Sequence, residues 1–170
     1  DNDRLGIIMF SGEAFVQCPL TYDKNALNLF VETLNTGLVP KSGTDFGPPL
    51  ELGLSKLQDE SSEEKDIKSK IIILFSDGED FGDETEESIK KIKENSLKLF
   101  SIGIGTEKGS RIKDNFGKFK KDKEGNDVIT KLNSSSLRET ADKTGGKYYE
   151  ISKNKNEINQ MIGDIKNIKG

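Results

Sequence analysis

The sequence predicts an α/β fold on a mostly parallel central sheet, and three observations carry that prediction. Ile71–Phe75 (IIILF) is apolar on both faces, as a strand inside a parallel sheet must be. Segments of this kind alternate along the chain with stretches whose apolar residues recur at helical spacing. Roughly a quarter of the 170 residues are Leu, Ile, Val or Phe, above the ~20% below which disorder is the default. The length suits one domain over 1–170, given ~100–200 residues for each.

Taken in order, Leu5–Phe10 is a near-continuous apolar run and reads as a buried strand. Ser11-Gly12 forms a two-residue turn into Glu13–Cys18, where Ala14, Val16 and Cys18 alternate with Glu13, Phe15 and Gln17, which makes a hairpin. Asp23 is placed to cap a helix carrying Leu27, Phe30, Val31 and Leu34, which Gly37 ends. A polar loop, Lys41–Asp45, leads to Pro48-Pro49 in the first turn of a second helix with Leu50, Leu54 and Leu57 on one face. Residues 59–70 are charged and read as a loop.

The strand at 71–75 stops at Ser76-Asp77-Gly78. Asp83 with Glu86 has capping-box spacing before a short helix carrying Ile89 and Ile92. Leu97–Ile104 is the next strand. An inserted hairpin follows at about 115–131, turning at Asp122–Gly125. Ser136 with Glu139 caps a helix that ends at Gly145-Gly146, Tyr148–Ile151 is a short strand, and Ile158, Met161, Ile162, Ile165 and Ile168 line a final helix.

Composition excludes several chemistries. The chain has no histidine and one cysteine, Cys18. Ser-His-Asp and Cys-His catalysis, imidazole metal sites and cysteine zinc sites all fall away. A net charge of −4 argues against nucleic acid as a partner. The longest apolar run, Ile71–Phe75, is far short of the ~18 residues that span a bilayer, so a soluble piece without a signal peptide is expected.

What remains is oxygen chemistry. In open α/β sheets ligands sit at the carboxyl ends of the strands, which directs attention to Asp77, Gly78, Glu79 and Asp80. Asp83–Glu87 suit a helix start, where acids oppose the dipole. Asp77 is different: a carboxylate leaving a buried strand must be paired, hydrogen-bonded or bound to a cation. Oxygen ligands of this type take Mg²⁺, Ca²⁺ or Mn²⁺. The second fragment is Gly43-Thr44-Asp45, where the Thr44 hydroxyl suits either a helix cap or a second oxygen ligand.

Together these fragments resemble the von Willebrand factor A (VWA) family, whose metal-ion-dependent adhesion site is made from three loops. Gly43-Thr44-Asp45 looks like the second loop, which carries a Thr, and Leu74–Asp80 like the third, which carries Asp-Gly. Within the family, Gly12–Thr21, Ser101–Thr106, Gly125–Ile129 and Ala141–Tyr149 resemble the bacterial Bat (aerotolerance) subgroup, in order along essentially the whole chain. The resemblance implies a Rossmann-like fold with one antiparallel edge strand and helices on both faces. It implies Thr44 and Asp77 as metal ligands, direct or water-mediated, with Gly43, Asp45, Gly78, Glu79 and Asp80 in the supporting loops. The ion implied is Mg²⁺, with Ca²⁺ or Mn²⁺ as substitutes.

The family's first loop, Asp-x-Ser-x-Ser, has no counterpart. Asp1–Arg4 looks like the lead into the family's second strand, so a strand plus helix of ~30 or more residues is expected before it. Without that strand, Leu5–Cys18 and Ile71–Phe75 each expose an open edge, and Thr44 and Asp77 alone leave the metal shell incomplete.

The function implied is a non-enzymatic protein–protein interaction module whose cation is completed by an acidic side chain of the partner. By resemblance it belongs to an inner-membrane-anchored bacterial protein, on the periplasmic side, acting with a MoxR-type AAA+ ATPase and other Bat proteins. No small-molecule substrate is implied. Two rivals stand beside it: a metal-dependent phosphohydrolase or receiver-like phosphoacceptor at Asp77, and a structural scaffold with a degenerate metal site.

Other motifs are weaker. Gly103-Ile104-Gly105 is followed by a glycine one place too late for G-x-G-x-x-G. Asp77–Ser88 fails as a calcium loop, with Phe81 at its fifth position and Ser88 at its last. Cys18, on the face of Ala14 and Val16, reads as a small buried apolar residue. Lys118, Lys120, Lys121 and Lys123 read as a solvated face, or as a dock for an acidic partner or anionic lipid.

Overall fold

The structure, a computed structural model, describes residues 3–35, 38, 44–59, 69–79, 82–113 and 116–168. Gly37, Gly43, Asp80 and residues 60–68 of the charged loop expected over 59–70 lie outside the described residues. The chain forms two compact units: residues 1–67 with 80–95, and residues 68–79 with 96–170.

In the first unit, β1 (Leu5–Phe10) and β2 (Ala14–Thr21) form an antiparallel pair, with Ile7 opposite Cys18 and Phe10 opposite Ala14. The turn spans three residues rather than two, because Ser11 N–H bonds the Glu13 carbonyl at 2.9 Å and Glu13 stays out of the strand. Helix α1 (Lys24–Glu32) begins as expected, with Asp23 Oδ1 accepting from Asn25 N and Ala26 N at 2.9 and 3.0 Å. None of its residues is buried; Leu29, Phe30 and Val31 are exposed.

Helix α2 (Gly47–Asp59) starts at the proline pair, which needs no N–H partners there. Its Leu50 and Leu54 are buried, and Phe46, just before it, meets Phe10 edge-on at 6.0 Å. Helix α3 (Thr85–Glu94) lies on α2 through Ser88 Oγ to the Gly47 carbonyl and Lys91 to Glu51. The capping box expected at Asp83 does not form: the cap position is Glu84, with no side-chain bond to the helix. The first turn still carries Glu86 and Glu87, which the helix dipole favours without a cap.

The second unit is the α/β layer. Strands β3 (Ile71–Ser76), β4 (Lys98–Ile104) and β7 (Tyr148–Ser152) are parallel, and β8 (Lys155–Asn156) adds a short antiparallel edge. β8 has too few residues to show a period in sequence. Phe100 and Ile102 point to one face of β4, where Tyr149 and Met161 of α5 (Ile158–Lys166) complete the core. Ser101 points to the other, where its hydroxyl donates to the Leu137 carbonyl of α4 (Ser134–Asp142) at 2.7 Å. Helices therefore cover both faces. The cap of α4 is Asn133, accepting from Ser136 N at 3.3 Å, rather than Ser136 itself.

Among the described residues β3 pairs on one side only, and Ile73 and Phe75 are exposed. That matches the open edge expected for Ile71–Phe75 and corrects the expectation, drawn from its apolar run, of a strand inside the sheet with both faces covered. The inserted hairpin begins earlier than its charges suggest. β5 (Ser110–Arg111) pairs with β6 (Ile129–Thr130), and bridges Lys113–Phe119 and Lys121–Asp127 fold a second turn between them.

Candidate functional site

Asp77 sits where β3 runs out, at the carboxyl edge of the parallel sheet. Ser76 and Asp77 each fold the chain back locally. Ser76 Oγ accepts from Gly78 N at 3.0 Å, and Asp77 Oδ1 accepts from Glu79 N at 3.3 Å. Gly78 is buried at φ +82°, and a Cβ there would lie 2.3 Å from the Asn133 carbonyl oxygen. Only glycine gives this turn both its backbone angle and its closeness.

Two residues from the far side of the hairpin hold Asp77. Thr130 Oγ1 donates to Asp77 Oδ2 at 2.9 Å, and Asn133 N donates to the Asp77 carbonyl at 2.7 Å. The carboxylate is half-buried and pairs with no lysine or arginine among the described residues. Glu79 is half-buried, its amide turned to Asp77. Thr130 and Asn133 were not among the sequence candidates. Asn133, just before Ser134-Ser135-Ser136, had a legible cap signal. Thr130, 53 residues from Asp77, had none.

Thr44 and Asp45 belong to the other unit. Thr44 is half-buried, and its hydroxyl has no hydrogen-bond partner among the described residues. It does not cap α2: Asp45 does, with Oδ1 accepting from Gly47 N at 2.8 Å. A Cβ on Gly82 would fall 1.9 Å from that oxygen, so Gly82 is what lets Asp45 lie against the backbone there. Of the expected residues, the structure thus joins Asp77 to Gly78 and Glu79 in one unit and Thr44 to Asp45 in the other.

The donors are of the type that hard divalent cations take: a carboxylate without a cationic neighbour, and hydroxyls. Among the described residues no group of three or more His, Cys, Asp or Glu gathers to hold a metal ion. Magnesium takes about six oxygens in near-octahedral array, of which a single carboxylate such as Asp77 offers at most two.

Comparison with known proteins gives a consistent result. The model of the von Willebrand factor type A domain matches residues 1–160. Among solved structures, the conserved hypothetical protein BatB of Bacteroides thetaiotaomicron is 27% identical, with a TM-score of 0.84 over 99% of this chain and 82% of that one. An aerotolerance-related membrane protein of Bacteroides fragilis, crystallised with multiple mutations to serine, is 27% identical with a TM-score of 0.83 over 96% and 81% of the two chains. An uncharacterized protein of Borreliella burgdorferi is 29% identical over 156 residues, 89% of this chain and 43% of that protein. The chain thus spans less than half the length of that curated relative.

Proposed function

We propose that this chain, which belongs to the von Willebrand factor type A domain family, is a protein-interaction module that engages its partner through a divalent cation. Domains of this family are generally interaction modules rather than enzymes. The observation that carries the reading is Asp77: a carboxylate at the carboxyl edge of the sheet, steadied by the Thr130 hydroxyl and unpaired with any lysine or arginine among the described residues. Its hydrogen bonds from Thr130 and Glu79 leave its charge without a cationic neighbour among the described residues, which is where a bound cation would act.

In this reading Asp77 and Thr44 are the chain's two ligands, direct or through water. The Thr44 hydroxyl, without a hydrogen-bond partner among the described residues, is available for the role. Gly78 and Glu79 fix the Asp77 turn, Asp45 accepts from Gly47 N at the start of α2, and Gly43 and Asp80 are the sequence neighbours of Thr44 and Glu79. When bound, Mg²⁺, Ca²⁺ or Mn²⁺ supplies a positive centre able to accept a carboxylate from a partner protein. The remaining oxygens come from water or from other donors.

The Bat-like solved structures support a setting in a membrane-associated bacterial assembly. We place the domain on the periplasmic side of an inner-membrane-anchored protein, working with other Bat proteins and a MoxR-type ATPase. No helix among the described residues is long and apolar enough to cross a membrane.

Calorimetric titration with Mg²⁺ and Mn²⁺ tests the proposal. Saturable uptake that Asp77→Ala abolishes and Thr44→Ala weakens supports it. Equal uptake by the wild type and Asp77→Ala overturns it. Covalent labelling of Asp77 by acetyl phosphate replaces it with the phosphoacceptor reading.

A further inference from the structure

We propose that the inserted hairpin, residues 111–131, is a docking tip for an anionic lipid surface. This reading is independent of the cation site. Residues 111–131 carry seven lysines and arginines against four acids, a net +3 in a chain whose net charge is −4. Positive charge is thus concentrated on one projection of an otherwise acidic protein, an arrangement that orients the molecule toward a negative surface.

The projection is built. Asp122 Oδ1 accepts from Glu124 N at 3.0 Å and Asn126 N at 2.8 Å, which closes the lower turn and holds the Asp122 carboxyl below its ordinary range. Ile112 N donates to the Val128 carbonyl at 3.2 Å, Val128 N to the Lys120 carbonyl at 2.9 Å, and Lys120 N to the Ile112 carbonyl at 2.8 Å. Arg111 lies 4.0 Å from the centre of the Phe119 ring and 3.2 Å from Asp127, which also pairs with Lys121 at 2.5 Å.

On this frame Phe116 is 89% exposed, three residues before Phe119, which bridges to Lys113. Ile129 is 54% exposed on the same projection. A large apolar side chain on a protruding turn among lysines suits a medium that yields around it. Lipid headgroups and acyl chains do so, whereas a folded acidic protein would need a matching pocket. Each lysine near an anionic surface raises affinity about fivefold, and salt screens the effect.

The test is co-sedimentation with vesicles of phosphatidylcholine alone and of equimolar phosphatidylcholine and phosphatidylglycerol. The wild type is expected to bind the anionic vesicles, more weakly as salt rises, and to leave the neutral ones. Lys120→Glu with Lys123→Glu should weaken binding on the order of several hundredfold, and Phe116→Ser on the order of tenfold. The protein has no tryptophan, so Phe116→Trp provides a single reporter. A blue shift of its emission with anionic vesicles supports insertion, while circular dichroism confirms that each variant is folded. Equal binding to both vesicle types overturns the proposal, as does an unshifted tryptophan on bound protein. Competition by polyglutamate, with affinity indifferent to Phe116, assigns the tip to an acidic protein instead.

Discussion

The Thr130 hydroxyl donates to Asp77 Oδ2 at 2.9 Å, joining the base of the inserted hairpin to the carboxyl end of β3. A hydrogen bond to a charged, half-buried acceptor contributes about 1.5–3 kcal/mol. Thr130→Val keeps the shape and removes the donor, so urea denaturation should show a loss of about that size. Thr130→Ser should recover most of it.

Gly78 and Gly145 separate backbone conformation from collision. Both have positive φ, +82° and +74°. A Cβ on Gly145 meets nothing within 4 Å, whereas one on Gly78 lies 2.3 Å from the Asn133 oxygen. Gly145→Ala should cost about 1 kcal/mol, and Gly78→Ala about 2–4 kcal/mol. Chemical denaturation of the two variants side by side checks the ordering.

Ile102 is fully buried between Phe100, Tyr149 and Met161, while Leu29 on α1 is 64% exposed. Ile102→Ala should destabilise by about 2–5 kcal/mol and Leu29→Ala by less than about 0.5 kcal/mol. Thermal melts of both distinguish them. Amide exchange should likewise be faster in α1 than in β4.

Asp164 should contribute to acid sensitivity. Its carboxylate accepts from Lys147 Nζ at 2.8 Å and the Tyr149 hydroxyl at 2.6 Å. Lys147 first, then Tyr149, holds it below the usual carboxylate range. A depressed carboxyl stabilises the fold above its unfolded value of about 3.9, and the gain is lost as pH falls through the folded value. Wild type and Asp164→Asn should therefore differ most near neutrality and converge in acid, as read from urea midpoints against pH. Tyr149 behaves oppositely: burial, then its bond to Asp164, raises it. Its contribution is present below about pH 10 and is lost as pH rises further.

The parallel strands were the most legible part of the sequence, because unbroken apolar runs such as Ile71–Phe75 stand out in it, although β4 is buried on both faces and β3 leaves Ile73 and Phe75 exposed. Helix periods were legible too, since Ile89 and Ile92 of α3 must reach a core. Helix starts were less so. Asp83–Glu86 has capping spacing without capping, and Asn133 takes the place expected of Ser136. Both sequences offer several competent side chains, and only the path of the incoming chain decides among them. At the site, Asp77 announced itself as a charge leaving an apolar strand. Its partner Thr130 could not, because threonine is ordinary on any strand and the bond forms only after the hairpin folds back.

Cys18 is 2% exposed on β2, opposite Ile7 of β1, and is the chain's single thiol. A bulky disulfide reagent can reach it only when the packing over that face of β2 opens locally. The pace at which native protein takes up the reagent would thus time that opening without any introduced label.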